Sequence, residues 1–394
     1  MSVLIVGAGP AGARLAIRLA SSGWPVVLVD RLTNPSANAF SSAALPIEAV
    51  RRLELPAETW SARWQGWQLH DPSGSMHQWW ACSDLGVVLD FGKVRSWLWA
   101  EARRLGVELL QGVRAHLEEL DSSGATVRLT DADQRVTRRR SRWVIDATGA
   151  GRGLLGQLGL SGSGSDSLLS GCGVEWLLQA NDRTASPWLD RLSFFLGTNW
   201  IPYGYGWVFP MAGHQLKVGV CALPPRSLPG LGLHQALTSL IGRLGLSSCD
   251  VLDRHGGPVA STIHRRERMG QDSLLAVGDA ASSANLLGGE GIRHAMDSAD
   301  QLADCLLEQP ASLPSEQIQA IYRLRVSTQQ SWRWSVSGRL ARRTWWGLNN
   351  PKADQRLSKL ISGLSARASA QDLSDLLFNY RFERYGLRLL PYLI

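Results

Sequence analysis

Apolar positions at the start of the chain form two short runs, Val3 to Val6 and Val26 to Asp30, on either side of a glycine-rich turn and the stretch Ala13 to Ser22. The order reads as strand, turn, helix and strand, a βαβ unit. From about Asn34 to Gly86 the periodicity is poor and is interrupted by Pro35, Pro46, Pro56 and Pro72, which predicts excursions rather than a continued simple sheet. Val94, Leu98, Ala102 and Leu105 return at helical spacing with Gly106 as a stop. Alternation in Ala125 to Leu129 and Trp143 to Ile145 predicts strands, and the basic run Arg138, Arg139, Arg140 is read as the connection between them. Ser161 to Ser165 reads as a linker. Beyond it, to about Arg266, segments such as Ser193 to Leu196 and Leu216 to Val220 read as a sheet-rich unit. After Cys305 the pattern turns helical, polar and basic, and ends in the aromatic segment Phe378 to Ile394.

A chain of 394 residues is long enough for more than one folding unit. The five cysteines are scattered without C-x-x-C spacing, so they are read as reduced thiols, mostly in the core. No signal-like segment and no long uncharged apolar run is found, and a cytoplasmic location with an optional peripheral membrane contact is expected. The formal charge of +7 and the 17 tryptophans stand out. No helix-turn-helix, RNA-binding or zinc-finger signature accompanies the charge, which argues against nucleic acid as partner. No metal-ligand spacing is found either.

Gly7-Ala8-Gly9-Pro10-Ala11-Gly12 satisfies G-x-G-x-x-G between strand and helix. The first glycine allows the tight turn, the second admits a pyrophosphate, and the third lets helix and strand pack closely. The helix N-terminus then faces the phosphate charge. Asp30, at the end of the second strand, is placed to accept hydrogen bonds from a ribose hydroxyl. These residues predict an α/β fold with a Rossmann-type dinucleotide-binding domain (residues 1–60, 86–160 and 266–305), an inserted sheet-rich substrate domain (61–85 and 161–265) and a helical C-terminal region (306–394).

Further motifs follow in order. Asp146-Ala147-Thr148-Gly149 closes a strand. Gly278-Asp279-Ala280-Ala281 follows the apolar run Leu274 to Val277, and Gly288-Gly289-Glu290-Gly291-Ile292 comes shortly after. Pro202-Tyr203-Gly204-Tyr205-Gly206-Trp207-Val208-Phe209-Pro210 fits P-x-x-Y-x-W-x-F-P. Over roughly residues 1 to 305 this set resembles the geranylgeranyl reductase family of FAD-dependent oxidoreductases. The resemblance implies FAD as cofactor, with Gly278 and Asp279 at its ribityl chain and Gly289, Gly291 and Ile292 beside the ring. It also implies that Tyr205 and Trp207 face the cavity that takes an isoprenoid chain. Independently of the family, Tyr205, Trp207 and Phe209 alternate along a strand and share one face, an aromatic wall. The chain departs from the family in two places. Ser41-Ser42-Ala43-Ala44 stands where a Cys-Gly-Gly segment is usual, and Phe91 stands where an arginine often precedes the helix near Val94, with Lys93 and Arg95 nearby.

The function expected from this resemblance is FAD-dependent reduction of carbon–carbon double bonds in a polyprenyl or other apolar substrate. Tyr205, Trp207, Glu290 and Glu175 are the catalytic candidates, with His294 as a further proton-donor candidate. Since no second strand-G-x-G-x-x-G-helix unit is found, the donor is read as transiently bound NADPH or a reduced ferredoxin docking on the basic surface. The alternatives are a lycopene-cyclase-like redox-neutral flavoenzyme with Glu175 as acid, an FAD monooxygenase or halogenase, and a non-catalytic flavin-binding protein. Trp332-Arg333-Trp334 and Arg342-Arg343-Thr344-Trp345-Trp346 suit either an interfacial helix on anionic lipid or a helical cap whose arginine stems cover apolar surface.

Overall fold

The structure is a computed structural model that describes residues 2–39, 41–160, 168–225, 232–263, 268–310 and 312–384. The proposed linker at 161–165 and the last ten residues of the aromatic C-terminal segment lie outside this set.

Two sheets organise the molecule. The first has six strands in the order Gly270–Gln271, Leu274–Ala276, Trp143–Asp146, Val3–Val6, Val26–Asp30 and Glu108–Gln111. All its pairings are parallel except the short edge hairpin at 270–276. Its central strands are buried on both faces, as a parallel sheet requires, and the core they share takes in helices and residues Leu117, Ala125, Val127 and Leu129 of a three-stranded sheet. Helices Pro10–Ser21, Phe91–Arg104 and Ile292–Glu308 share one apolar core with it. The fold is thus α/β, with a Rossmann-type dinucleotide-binding unit.

The second sheet has seven strands in the order Asp250–Thr262, Leu168–Gln179, Gln215–Ala222, Gly204–Pro210, Arg191–Leu196, Gly66–His70 and Met76–Trp80. It is antiparallel except where 191–196 meets 66–70. One face buries Val208, Val218 and Val220 against helix Leu233–Arg243. The other face is the aromatic one, and the C-terminal helices Ser315–Gly347, Pro351–Ser365 and Ala370–Leu377 pack on it through Trp345, Leu348, Leu357, Ile361 and Leu373. The basic C-terminal region is therefore a cap on the seven-stranded sheet.

Two sequence expectations are corrected. Arg138, Arg139 and Arg140 lie inside a strand, Val136–Ser141, of a separate three-stranded sheet. Arg138 and Arg140 pair across it with Glu118 and Asp121, and Arg139 pairs with Glu108 on the edge strand of the six-stranded sheet; these ion pairs let a basic run form a strand. Nor are the cysteines mostly core: Cys221 and Cys305 are buried, whereas Cys82 and Cys172 are exposed and Cys249 is half-buried.

Candidate functional site

The glycine turn at 7–12 is tight for reasons visible in the backbone. Gly7 has φ +104, and a Cβ there would lie 2.3 Å from the Ala147 carbonyl oxygen. A Cβ on Gly12 would come 1.9 Å from the Gly7 carbonyl oxygen. Gly9 differs, because a Cβ there would meet no protein atom within 4 Å. The open space lies at the N-terminus of helix Pro10–Ser21, which has Pro10 in its first turn and no side-chain cap. Uncapped amides beside empty space are what a pyrophosphate requires. Asp30 accepts from the Ala8 amide at 2.6 Å and from the Leu32 amide at 2.8 Å, which fixes its carboxylate at the mouth of the turn. Each of its oxygens keeps a lone pair for a sugar hydroxyl.

The distal motif meets this turn in space. Gly278 has φ +64, and a Cβ there would lie 2.8 Å from the Ala11 Cβ, so residues almost 270 positions apart are in van der Waals contact. Ser298 Oγ accepts from the Gly278 amide at 2.8 Å and holds the 278–281 turn against helix Ile292–Glu308. Asp279 is half-buried at the surface of that turn. Gly289, Glu290 and Gly291 form the loop before the helix, and Ile292 is its first residue. The Asp146 motif has a different role. Asp146 is buried and accepts from the Thr148 amide and hydroxyl and from the amides of Leu154 and Leu155, so its carboxylate is used within its own turn.

The aromatic wall is present and contiguous. Tyr205, Trp207 and Phe209 are buried, with neighbouring ring centroids 5.9 and 6.5 Å apart. One end meets the 288–291 loop: a Cβ on Gly289 would lie 2.4 Å from the Tyr205 hydroxyl, so only glycine lets that loop approach the ring. Tyr205 also packs on Trp345 of the cap, at 5.0 Å between centroids. At the other end, Lys217 stands opposite Phe209 in the register and donates to the Ser41 carbonyl, in the segment that replaces the Cys-Gly-Gly of the family.

Glu175 is fully enclosed. It accepts from Trp207 Nε1 at 2.7 Å and is bonded to His255 Nε2 at 2.8 Å. Burial pushes its carboxyl up, but His255, Lys217 and Trp207 more than offset this and hold it below the usual carboxylate range. Glu290 is similarly placed. Its Oε2 takes hydrogen bonds from Arg293 and, at 2.8 Å, from the Tyr380 hydroxyl, with His294 Nε2 at 3.2 Å. Burial raises it, and the Arg293 charge, with His294 and Tyr380, brings it down overall. Arg293 also donates to the Phe378 carbonyl, so the Glu290 cluster ties the 288–291 loop to the C-terminal segment. His294 is pushed down by burial and by Arg293, and Tyr205 is pushed well up by burial.

Several residues of this arrangement were not singled out in the sequence. Lys217 and Gly219 alternate with the apolar residues of the strand Gln215–Ala222, a pattern that places them on one face. Arg95, named in the sequence only as a neighbour of Phe91, is buried and donates to the carbonyls of Pro35 and Ala37, stapling the loop after the second strand. Tyr380 and His255 carried no sequence signal.

Comparison with known proteins agrees with this geometry. A family model described as "FAD binding domain" matches residues 1–46. The digeranylgeranylglycerophospholipid reductase of Haloferax volcanii is 26% identical over 310 residues, covering 75% of this chain and 73% of its own. The menaquinone reductase of Mycobacterium tuberculosis is 28% identical over 317 residues, covering 77% and 76%. A solved structure of a geranylgeranyl bacteriochlorophyll reductase-like protein from Thermoplasma acidophilum superposes with a TM-score of 0.82 at 21% identity, over 100% of this chain and 99% of that one. The chain is similar to the geranylgeranyl reductase family of FAD-dependent oxidoreductases in sequence and in fold. Its cofactor is FAD, and the fit rests on the uncapped helix N-terminus beside the open space at Gly9 and on the Gly278 turn closing against Ala11. The strand Gly204–Pro210 thus lies between the 288–291 loop, at Tyr205, and the Ser41 segment, which Lys217 opposite Phe209 holds.

Proposed function

We propose that this protein saturates carbon–carbon double bonds of a polyprenyl lipid. The observation that carries the reading is the aromatic strand face whose Tyr205 hydroxyl lies against Gly289, so that an apolar chain held along Tyr205, Trp207 and Phe209 would run to the flavin-side loop. Names of the relatives support it, since a digeranylgeranylglycerophospholipid reductase and a menaquinone reductase both carry isoprenoid substrates in their names. Bound FAD, once reduced, supplies the hydride. The protein's own part is to hold Gly7, Gly9, Pro10, Ala11, Gly12 and Asp30 around the dinucleotide, to place Gly278, Asp279, Gly289, Gly291 and Ile292 along its distal half, and to exclude water with the aromatic wall and its helical cap. Glu290 acts as an anchor for the 288–291 loop rather than as an acid, because its carboxylate is held ionised by Arg293. NADPH or a ferredoxin-type protein reloads the cofactor.

Among the described residues no helix is long and apolar enough to cross a membrane. We propose instead a peripheral contact through the helix Ser315–Gly347, where Leu324 and Trp332 are exposed beside Arg323, Arg325 and Arg333. Contact there would bring the cap, and the wall beneath it, to the lipid.

The test is a single turnover. Protein reduced by light without oxygen is mixed with vesicles holding an unsaturated polyprenyl lipid or its saturated counterpart. Reoxidation of the flavin absorbance with the unsaturated lipid alone supports the reading, and no reoxidation with either rejects it.

A further inference from the structure

Double-bond reduction needs a proton as well as a hydride, and the obvious groups hold none to give. Glu175 and Glu290 are held as carboxylates, His294 is kept neutral by burial and Arg293, and the Tyr205 hydroxyl is made less acidic by burial. One strand away from the wall stands a cation that no role yet uses. Lys217 is 4% exposed, on the same face of the sheet as Phe209, which is its direct partner in the register. It donates to the Ser41 carbonyl and interacts with the charges of Glu175 and Asp90.

The register builds a line outward from this lysine. Trp207, Gly219, Glu175 and His255 are consecutive partners across four strands, and Lys217 is two residues from Gly219 on the same face. Glu175 joins Trp207 and His255, and His255 Nδ1 lies 3.4 Å from the Asp253 carboxylate. Asp253 is more than half exposed at the sheet edge, whereas the His255 side chain is 10% exposed. The groups therefore run from solvent to the wall: Asp253, His255, Glu175, Lys217.

Building on the reductase reading, we propose that the Lys217 ammonium donates the proton that completes double-bond reduction, and that His255 and Glu175 return a proton to it from the sheet edge. The balance is simple. Hydride from the reduced cofactor forms one new C–H bond, and an N–H bond of Lys217 breaks as the second C–H bond forms at the neighbouring carbon. The neutral amine then takes a proton handed along Glu175 from His255, which is refilled from water at Asp253. Burial lowers the basicity of Lys217, as an internal acid requires, with Glu175 and Asp90 opposing the shift in part. Trp207, a fixed position of the family motif, gains a reason here, because its indole N–H orients the relay carboxylate.

The test uses the full chain with FAD in the anaerobic single turnover. Lys217→Met, close in shape, is expected to slow flavin reoxidation by unsaturated lipid about 100-fold or more, the usual contribution of a general acid, with an unchanged flavin spectrum. Lys217→Arg keeps the charge but loses the acidity, so it should be slow as well, whereas a purely structural role would leave it near wild type. His255→Asn should lose rate most at high pH and recover with added imidazole. Wild-type rates in Lys217→Met or Lys217→Arg overturn the assignment. A second readout stands apart from turnover: the NMR signals of the His255 ring in the lipid-free protein, identified by the His255→Asn variant. Lys217→Met and Glu175→Gln should each displace these signals, with Asp253 the other charge facing the ring. If wild type fails to react with the lipid, the reductase reading falls while these shifts still decide the relay; no shift in either variant overturns it.

Discussion

Trp207 reaches across a whole strand to donate its indole N–H to Glu175 at 2.7 Å. It does so because the strand between them carries Gly219, where a Cβ would lie 2.2 Å from the indole ring. A missing side chain thus lets an aromatic ring lie flat over one strand and bond a buried carboxylate on the next.

Replacing the indole should expose what that bond contributes. Trp207→Phe keeps most of the apolar ring but leaves Glu175 one donor short, at a cost of roughly 1.5–3 kcal/mol for a hydrogen bond to a charged group. Gly219→Ala should produce a similar loss by displacing the ring. Urea unfolding followed by fluorescence or circular dichroism reads both, and an unchanged midpoint in either would contradict this account of the pair.

Gly9 separates cofactor binding from folding. Since a Cβ there meets no protein atom, Gly9→Ala should leave thermal unfolding of the cofactor-free protein unchanged. The same methyl would stand where the pyrophosphate approaches, so FAD affinity should fall at least tenfold in a fluorescence titration. Gly12→Ala, which would collide with the Gly7 carbonyl, should damage both.

The Glu290 and Arg293 pair is buried on both sides, with side-chain exposures of 4% and 11%. Arg293→Met would leave a buried carboxylate without its main counter-charge, a loss of about 3–5 kcal/mol. Because Arg293 also holds the Phe378 carbonyl, the variant should gain sensitivity to proteolysis near residue 378.

Acid should weaken the fold through His70. Burial, aided by His77 and opposed by Asp71, lowers its pKa to about 4, and its ring stacks on Phe195 at 4.5 Å. The unfolded chain therefore takes up this proton near pH 6.5, and the folded chain only near 4. The contribution is complete above pH 6.5, is lost progressively as pH falls to about 4, and does not change further below that. Glu175 and Glu290, held low, add a loss at lower pH still. Urea midpoints measured from pH 7 to 4.5 should fall less in His70→Gln than in wild type, and parallel curves would contradict the assignment.

The dinucleotide unit was legible in the sequence because its elements are local: strand, turn and helix lie within thirty residues, and their spacing marks the glycines even though Gly7 answers to the distant Ala147 carbonyl. The signature strand was legible for the same reason, since alternation alone puts Tyr205, Trp207 and Phe209 on one face. Arg138 to Arg140 were misread because their partners, Glu118, Glu108 and Asp121, come from other strands, and a charge run shows nothing of cross-strand pairing. Lys217 and His255 escaped notice because their meaning comes from a four-strand register joining residues 175, 207, 219 and 255. The cap role of the C-terminal helices likewise depends on which sheet face remained to be covered, a matter of tertiary packing.

The central claim is that electrons on the bound flavin end in a lipid double bond. Its most direct measurement is mass spectrometry of the polyprenyl lipid after one anaerobic turnover in heavy water, set against the flavin oxidised. The account predicts one double bond lost per flavin, with one deuterium at carbon from the solvent-derived proton. Lipid of unchanged mass, or flavin oxidised without a saturated product, would contradict it.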